Sequence, residues 1–230
     1  MNISVLTLFP GLIEAFFTES ILGRAVENGV VSYTAVDIRD FATDRHRTCD
    51  DAPYGGGAGM VLKPEPLGRA LDSVNASNRR TVFPTPSGRP FTQSTAHELA
   101  AERELVFICG RYEGVDQRII DHYVDDELTI GDYVISSGEL SALVIVDAVV
   151  RLLDGVIAPE SLSEESFQDG LLEYPQYTRP EVYKGMAVPE VLLTGHHERI
   201  RRWRHQKRVE KTRRYRGDLP GAATENEGNE

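Results

Sequence analysis

The sequence predicts an α/β fold on a mostly parallel sheet, followed by a small helical domain at the C-terminal end. Three observations predict it. Short apolar runs alternate with amphipathic segments over residues 1–153, the pattern of strands joined by crossover helices. Several of those runs are continuously apolar, as strands covered on both faces are. With 230 residues, 40% of them hydrophobic, the chain can bury one sizeable core and carry a smaller appendage.

In chain order, Asn2 to Phe9 reads as a strand, Pro10 to Asn28 as an amphipathic helix opened by proline, and Val31 to Ile38 as a second strand. A long glycine-rich loop follows. Next come a helix near Glu65 to Ser73, a strand at Arg80 to Phe83, a helix near Ser94 to Ala101 and a buried strand at Glu104 to Cys109. A helix near Val115 to His122, a strand at Asp126 to Ile130 and an apolar helix from Glu139 to Leu153 complete the core. Residues 154–176 are rich in Glu, Ser, Gly and Pro and read as an interdomain linker. Residues 177–217 read as a helical domain, with Thr194 as the N-cap of a basic helix, and 218–230 as a disordered acidic tail.

No run approaches the ~18 apolar residues of a membrane span, and Met1 to Phe9 lack signal-peptide features, so a cytoplasmic protein without a membrane partner is expected. Two cysteines, Cys49 and Cys109, lack the spacing of a disulfide framework or zinc site, and Cys109 reads as core. The net charge of −11 conceals a strong asymmetry. Arg199 to Arg216 holds ten Lys or Arg and one acid, Glu210, a local +9 against −20 for the remainder. Such a segment is either a solvated helix face or a surface for an anionic partner.

Three loops follow strand ends, where open α/β sheets place ligands: Pro84 to Gly88, Gly110 to Gly114, and Ile130 to Glu139. Any one would serve as a tight turn; three together point toward a nucleotide-like ligand. Pro53-Tyr54-Gly55-Gly56-Gly57-Ala58-Gly59-Met60 lacks the Gly-Lys-Ser/Thr ending of a P-loop, which excludes that class of phosphate cradle. Beside Arg45, His46, Arg47 and Asp50 it suits a loop that orders against a polyanion, or a plain surface loop with turn glycines.

These motifs carry a resemblance. Leu8-Phe9-Pro10, Tyr54 to Gly57, Gly110-Arg111-Tyr112-Glu113-Gly114, Ile130-Gly131-Asp132-Tyr133-Val134, Gly170-Leu171-Leu172, Tyr177-Thr178-Arg179-Pro180, Val188 to Leu193 and Arg201-Arg202-Trp203-Arg204 follow one another with matching spacing, up to about Gly217. The chain closely resembles the bacterial tRNA (guanine-N1)-methyltransferases of the TrmD family. The resemblance implies a SPOUT-type fold with a deep trefoil knot, a homodimer, S-adenosylmethionine (AdoMet) as methyl donor, and tRNA as the partner methylated beside the anticodon. The AdoMet pocket it implies comprises Pro84, Thr85, Pro86, Gly110, Tyr112, Glu113, Ile130, Gly131, Tyr133, Val134, Ile135 and Gly138. In that pocket Ser137 stands where the family usually has a first glycine.

The resemblance also assigns Glu165 as general base, where the family has aspartate, and Arg151 as the arginine that stabilises charge near O6. Asp169 is the competing carboxylate. Gly55, Gly56, Gly57, Gly59, Arg201 and Arg202 are expected to touch tRNA, with Tyr177 and Trp203 as weaker stacking candidates. A magnesium requirement is consistent with the family, but no ligand cluster in the sequence places the ion. Two rivals share these motifs: a superfamily relative that methylates a ribose hydroxyl or another base, and an inactive tRNA-binding protein.

Overall fold

The computed structural model describes residues 1–223, apart from the side chains at 160 and 163, and the chain divides into two compact units, Met1–Ile157 and Ala158–Glu230. The last seven residues of the expected tail, 224–230, lie outside the described residues.

The first unit is built on five parallel strands in the order β2-β1-β6-β5-β7. β1 (Asn2–Thr7) is buried at all but its first residue and pairs with both β2 (Ser32–Asp37) and β6. Between β1 and β2 the single expected helix is two, α1 (Pro10–Phe17) and α2 (Ser20–Glu27). The break has a local cause. Ser20 takes a left-handed φ of 59°, and the chain doubles back so tightly that a Cβ on Gly23 would lie 2.8 Å from the Thr18 carbonyl oxygen. Phe17 and Leu22 thereby both reach the core. The glycine-rich loop leaves a two-residue ladder, β3 (Asp50–Asp51) with β4 (Val61–Leu62), before α3 (Pro64–Ser73), which starts on proline one residue before the expected Glu65.

β5 (Arg80–Pro90) runs well past Phe83, and its pairing slips between Pro84 and Arg89. Pro84 and Pro86 have no N–H to give a ladder, so the strand breaks there, bulges, and resumes beside β7. α4 (Gln93–Ala100) leads to β6 (Glu104–Ile108), α5 (Gln117–Tyr123) to β7 (Asp126–Thr129), and α6 (Gly138–Val150) closes the unit. Two apolar clusters result. Phe17, Val82, Phe107, Leu128 and Ile145 belong to one, and Leu6, Leu67, Phe83 and Ile108 to the other. Cys109 is fully buried, as read, and burial pushes its thiol pKa well up.

The second unit begins with a short helix, α7 (Pro159–Ser163), inside the segment read as a structureless linker. A two-stranded ribbon, β8 (Val182–Tyr183) with β9 (Met186–Ala187), precedes the basic helix α8 (His197–Tyr215). His196, not Thr194, caps α8: its Nδ1 accepts from Arg199 N at 3.5 Å, while the Thr194 hydroxyl accepts from His196 N one step earlier. Thr212 anchors α8, accepting from Leu172 N at 2.9 Å. Part of the expected tail is ordered: Pro220–Ala223 forms a 3-10 turn, and Gly221 N donates to Gly170 O at 3.2 Å.

Candidate active site

The bulge within β5, where a loop after the strand was expected, and the loops after β6 and β7 converge at the C-terminal edge of the sheet around a cavity of about 260 Å³. Every residue that the resemblance assigns to AdoMet lines it except Gly131, whose backbone is held just outside by Thr129. The β5 bulge gives Pro84, Thr85 and Pro86; the loop after β6 gives Gly110, Tyr112 and Glu113; the loop into α6 gives Ile130, Tyr133, Val134, Ile135 and Gly138.

Two close approaches explain the glycines. A Cβ on Gly138 would lie 2.6 Å from Gly110 N, and one on Gly110 would lie 2.9 Å from the Phe83 ring, so the loops meet backbone to backbone. Gly138 N donates to Gly110 O at 2.9 Å, which ties the two together. Ser137 has φ −163° and ψ 153°, extended backbone that any residue adopts, so its side chain imposes no strain where the family usually has glycine.

A buried pair braces this edge from behind. Thr7 Oγ1 donates to Glu139 Oε1 at 2.6 Å and accepts from Phe9 N, linking the end of β1 to the start of α6. Phe9 in turn lies under Arg111, whose guanidinium carbon is 4.8 Å from the ring centroid and whose side chain lines the cavity. A second brace spans the bulge. Asp126 accepts from Arg80 Nε and from Arg89 Nη2, each at 2.8 Å, and so clamps β5 on both sides of Pro84 to Gly88. Burial pushes the Asp126 carboxyl up, but the hydrogen bonds from the two arginines outweigh it and hold the group below its ordinary value. Sequence reading missed both braces. Arg111 sat inside a quoted motif, but the Asp126 clamp joins residues far apart in sequence and left no local signal.

The glycine-rich loop is stitched to the same edge. Glu113 N donates to Met60 O and Leu62 N to Gly114 O, both at 3.0 Å. Gly55, Gly56, Gly57 and Gly59 all have φ between 77° and 126°, and the first three have nothing within 4 Å of a notional Cβ. The loop is therefore a left-handed, open turn beside the cavity mouth. Arg151 is the C-cap of α6 in the first unit.

In the second unit Glu165 shares a shallow concavity with Ser161, Glu164, Glu173 and Gln176. Asp169 is engaged by Arg208, which donates to both of its oxygens, and these hydrogen bonds pull its pKa down. Arg201 and Arg202 are exposed on α8, and Arg202 Nη2 pairs with Glu198 at 2.5 Å. Tyr177 lies 6.3 Å from Trp203, centroid to centroid, with the rings tilted by 56°. The basic segment is less free than its composition suggests. Arg204 pairs with Glu164, Lys207 with Glu210, Arg208 with Asp169 and Arg216 with Asp218. Among the described residues no group of three or more His, Cys, Asp or Glu could hold a metal ion, and no helix is long and apolar enough to cross a membrane.

The family model described as tRNA (guanine-1)-methyltransferase TrmD matches residues 1–222. Proteins named tRNA (guanine-N(1)-)-methyltransferase are similar across nearly their whole length. The one from Treponema denticola is 65% identical over 219 residues, covering 95% of this chain and 90% of its own. That from Treponema pallidum is 60% identical, covering 97% and 89%, and that from Borreliella burgdorferi 58%, covering 95% and 92%. With the parallel sheet and the three convergent loops in place, this similarity shows that the chain belongs to the tRNA (guanine-1)-methyltransferase TrmD family.

Proposed function

We propose that the protein transfers a methyl group from AdoMet to N1 of the guanosine immediately 3′ of the anticodon in tRNA, with Glu165 as general base. The observation that carries this reading is the convergence of three sequence-distant loops on one cavity at the C-terminal edge of a parallel sheet. The names of the relatives supply tRNA and guanine N1.

The cavity suits AdoMet. Gly110 and Gly138 let loop backbone come close at its wall, where N–H and C=O groups can meet an adenine edge and a ribose. Bound there, the sulfonium supplies an already activated methyl group. The protein's share is then to align, to exclude water and to manage the N1 proton. In neutral guanine N1 carries a proton and its lone pair is not available, so a base must remove that proton. Glu165 is the candidate by its motif slot, and the Arg208 pairing of Asp169 favours Glu165 further, since Asp169 already serves the packing of α8. Arg151 is proposed to offset charge developing at O6. Gly55, Gly56, Gly57 and Gly59 are proposed to close over RNA, and Arg201 and Arg202 to meet its phosphates.

The homodimer and the knotted topology implied by the resemblance belong to the same proposal. Leu140 and Val144, one turn apart on α6, remain 53% and 50% exposed, an apolar stripe suited to a second copy of the first unit. A cytoplasmic location follows from the tRNA substrate. No magnesium site is proposed.

Replacing Glu165 by Ala tests the reading. Single-turnover methyl transfer should fall by ~10²–10⁴-fold, the usual worth of a placed base, with AdoMet affinity by calorimetry unchanged. Transfer at the wild-type rate would refute Glu165 as base.

A further inference from the structure

We propose that Arg111 binds the α-carboxylate of the methyl donor, held for that task on the ring of Phe9; this rests on the AdoMet reading above. Among the residues that line the cavity of about 260 Å³ only Arg111 and Glu113 carry formal charge, and they are of opposite sign. Neither has an ion-pair or side-chain hydrogen-bond partner among the described residues, and they do not pair with each other. A cavity with one unmatched cation and one unmatched anion is complementary to a zwitterion. The methionyl end of AdoMet is one, an α-ammonium beside an α-carboxylate.

The local backbone holds the two charges in place. Arg111 to Gly114 is a turn closed by Gly114 N, which donates to Arg111 O at 3.0 Å. Tyr112, between the two charged residues, takes a left-handed φ of 58°, a conformation that a tyrosine keeps only where its surroundings impose it. Glu113 is fixed from one side: its N–H donates to Met60 O, and a Cβ on Gly59 would overlap its Oε1, so the carboxylate rests on the glycine-rich loop. Arg111 is fixed by Phe9, with its guanidinium carbon 4.8 Å from the ring centroid. Phe9 is itself anchored. Its N–H donates to Thr7 Oγ1 at 2.8 Å, and that hydroxyl donates to the buried Glu139 at 2.6 Å. The second guanidinium on the same ring, that of Arg39 at 5.5 Å, is already engaged by Leu8 O and Asp37.

Stacking on a ring occupies the face of a guanidinium and leaves its in-plane N–H bonds free. Those are the bonds that a carboxylate accepts as a parallel pair. A carboxylate is favoured over an RNA phosphate for two reasons. Arg111 lines a concave pocket rather than the open surface that a sugar–phosphate strand follows. Glu113, two residues away, repels a group that is only anionic, whereas it attracts the ammonium that accompanies an α-carboxylate. Arg111 is thus a specificity residue: it separates the intact donor from adenosine compounds that lack the amino-acid end.

The test is calorimetry on the full-length protein with four ligands that share one adenosine. They are AdoMet, S-adenosylhomocysteine, decarboxylated AdoMet, which keeps the ammonium and lacks the carboxylate, and 5′-methylthioadenosine, which lacks both. Wild-type protein should bind AdoMet about 10–100-fold more tightly than decarboxylated AdoMet, the usual worth of a hydrogen bond to a charged group. Arg111→Gln should erase that margin, weakening AdoMet and S-adenosylhomocysteine by the same factor. Decarboxylated AdoMet and 5′-methylthioadenosine should not weaken, and their binding reports that the pocket is still folded. Phe9→Leu, which keeps apolar bulk without the π face, should weaken AdoMet about 2–5-fold and spare the decarboxylated ligand. Equal weakening of all four ligands in Arg111→Gln would make Arg111 a prop of the loop and overturn the proposal. Unchanged AdoMet affinity in Arg111→Gln would overturn it as well, and a raised KM for tRNA in that variant would assign the side chain to RNA. Both results leave the donor reading intact, whereas absence of AdoMet binding by the wild type would overturn that reading too.

Discussion

Gly138 has no room for a side chain, because a Cβ there would lie 2.6 Å from the Gly110 amide nitrogen and 3.0 Å from Cys109 Cα, both backbone atoms that cannot yield cheaply. Gly138→Ala should therefore push apart two of the three cavity loops and lower AdoMet affinity at least ~10-fold, while Ser137→Gly, at extended backbone, should leave it within about twofold. Calorimetry on both variants checks the contrast, and equal effects would mean that the pair acts as a flexible turn. Family resemblance made these positions legible, but not which of the two carries the constraint. That depends on which backbone passes within 3 Å, and no local pattern encodes it. The Arg208 contact to Asp169, from 39 residues away, is likewise a tertiary pairing that the linker sequence does not encode.

At the scale of elements, most strands and helices of the first unit were legible from their apolar period, α3 and α5 to within two residues at their starts. The α1/α2 break and the length of β5 were not. Each depends on a tertiary close approach, of Gly23 to Thr18 and of Gly88 to the Glu127–Leu128 backbone. β5 also shows how an element is made to serve a site. Two prolines open the ladder, and the single Asp126 carboxylate recloses it on either side. The folded-state pKa of Asp126 is depressed, so the clamp stabilises fully above the unfolded value of ~3.9 and is lost as pH falls through the lower folded value. Asp126→Asn should thus cost about 1–3 kcal/mol in urea unfolding at pH 7, since it removes the buried carboxylate that Arg80 and Arg89 share and leaves them only the more exposed Glu102 and Glu98, with the gap closing below about pH 4. A gap independent of pH would show that the cost is packing rather than charge.

For the whole molecule, the division of charge was legible and its use was only half so. A chain of net charge −11 places ten cations between Arg199 and Arg216, yet the fold commits Arg202, Arg204, Lys207, Arg208 and Arg216 to acids. Composition overstates the cationic surface because it cannot see which acids fold back onto the helix. Arg201 is among the cations of the helix left without an acidic partner among the described residues, and it is one of those proposed to meet RNA. The two units carry different parts of the proposed reaction, a cavity at the C-terminal edge of the sheet in the first and a carboxylate with its basic helix in the second. The central claim joins them as one methyltransferase. Its most direct measurement is transfer of tritium from labelled AdoMet to unmodified tRNA, followed by mass spectrometry of the nucleosides. The account predicts N1-methylguanosine confined to the position 3′ of the anticodon; a ribose-methylated nucleoside, another methylated base, or no incorporation at all would contradict it.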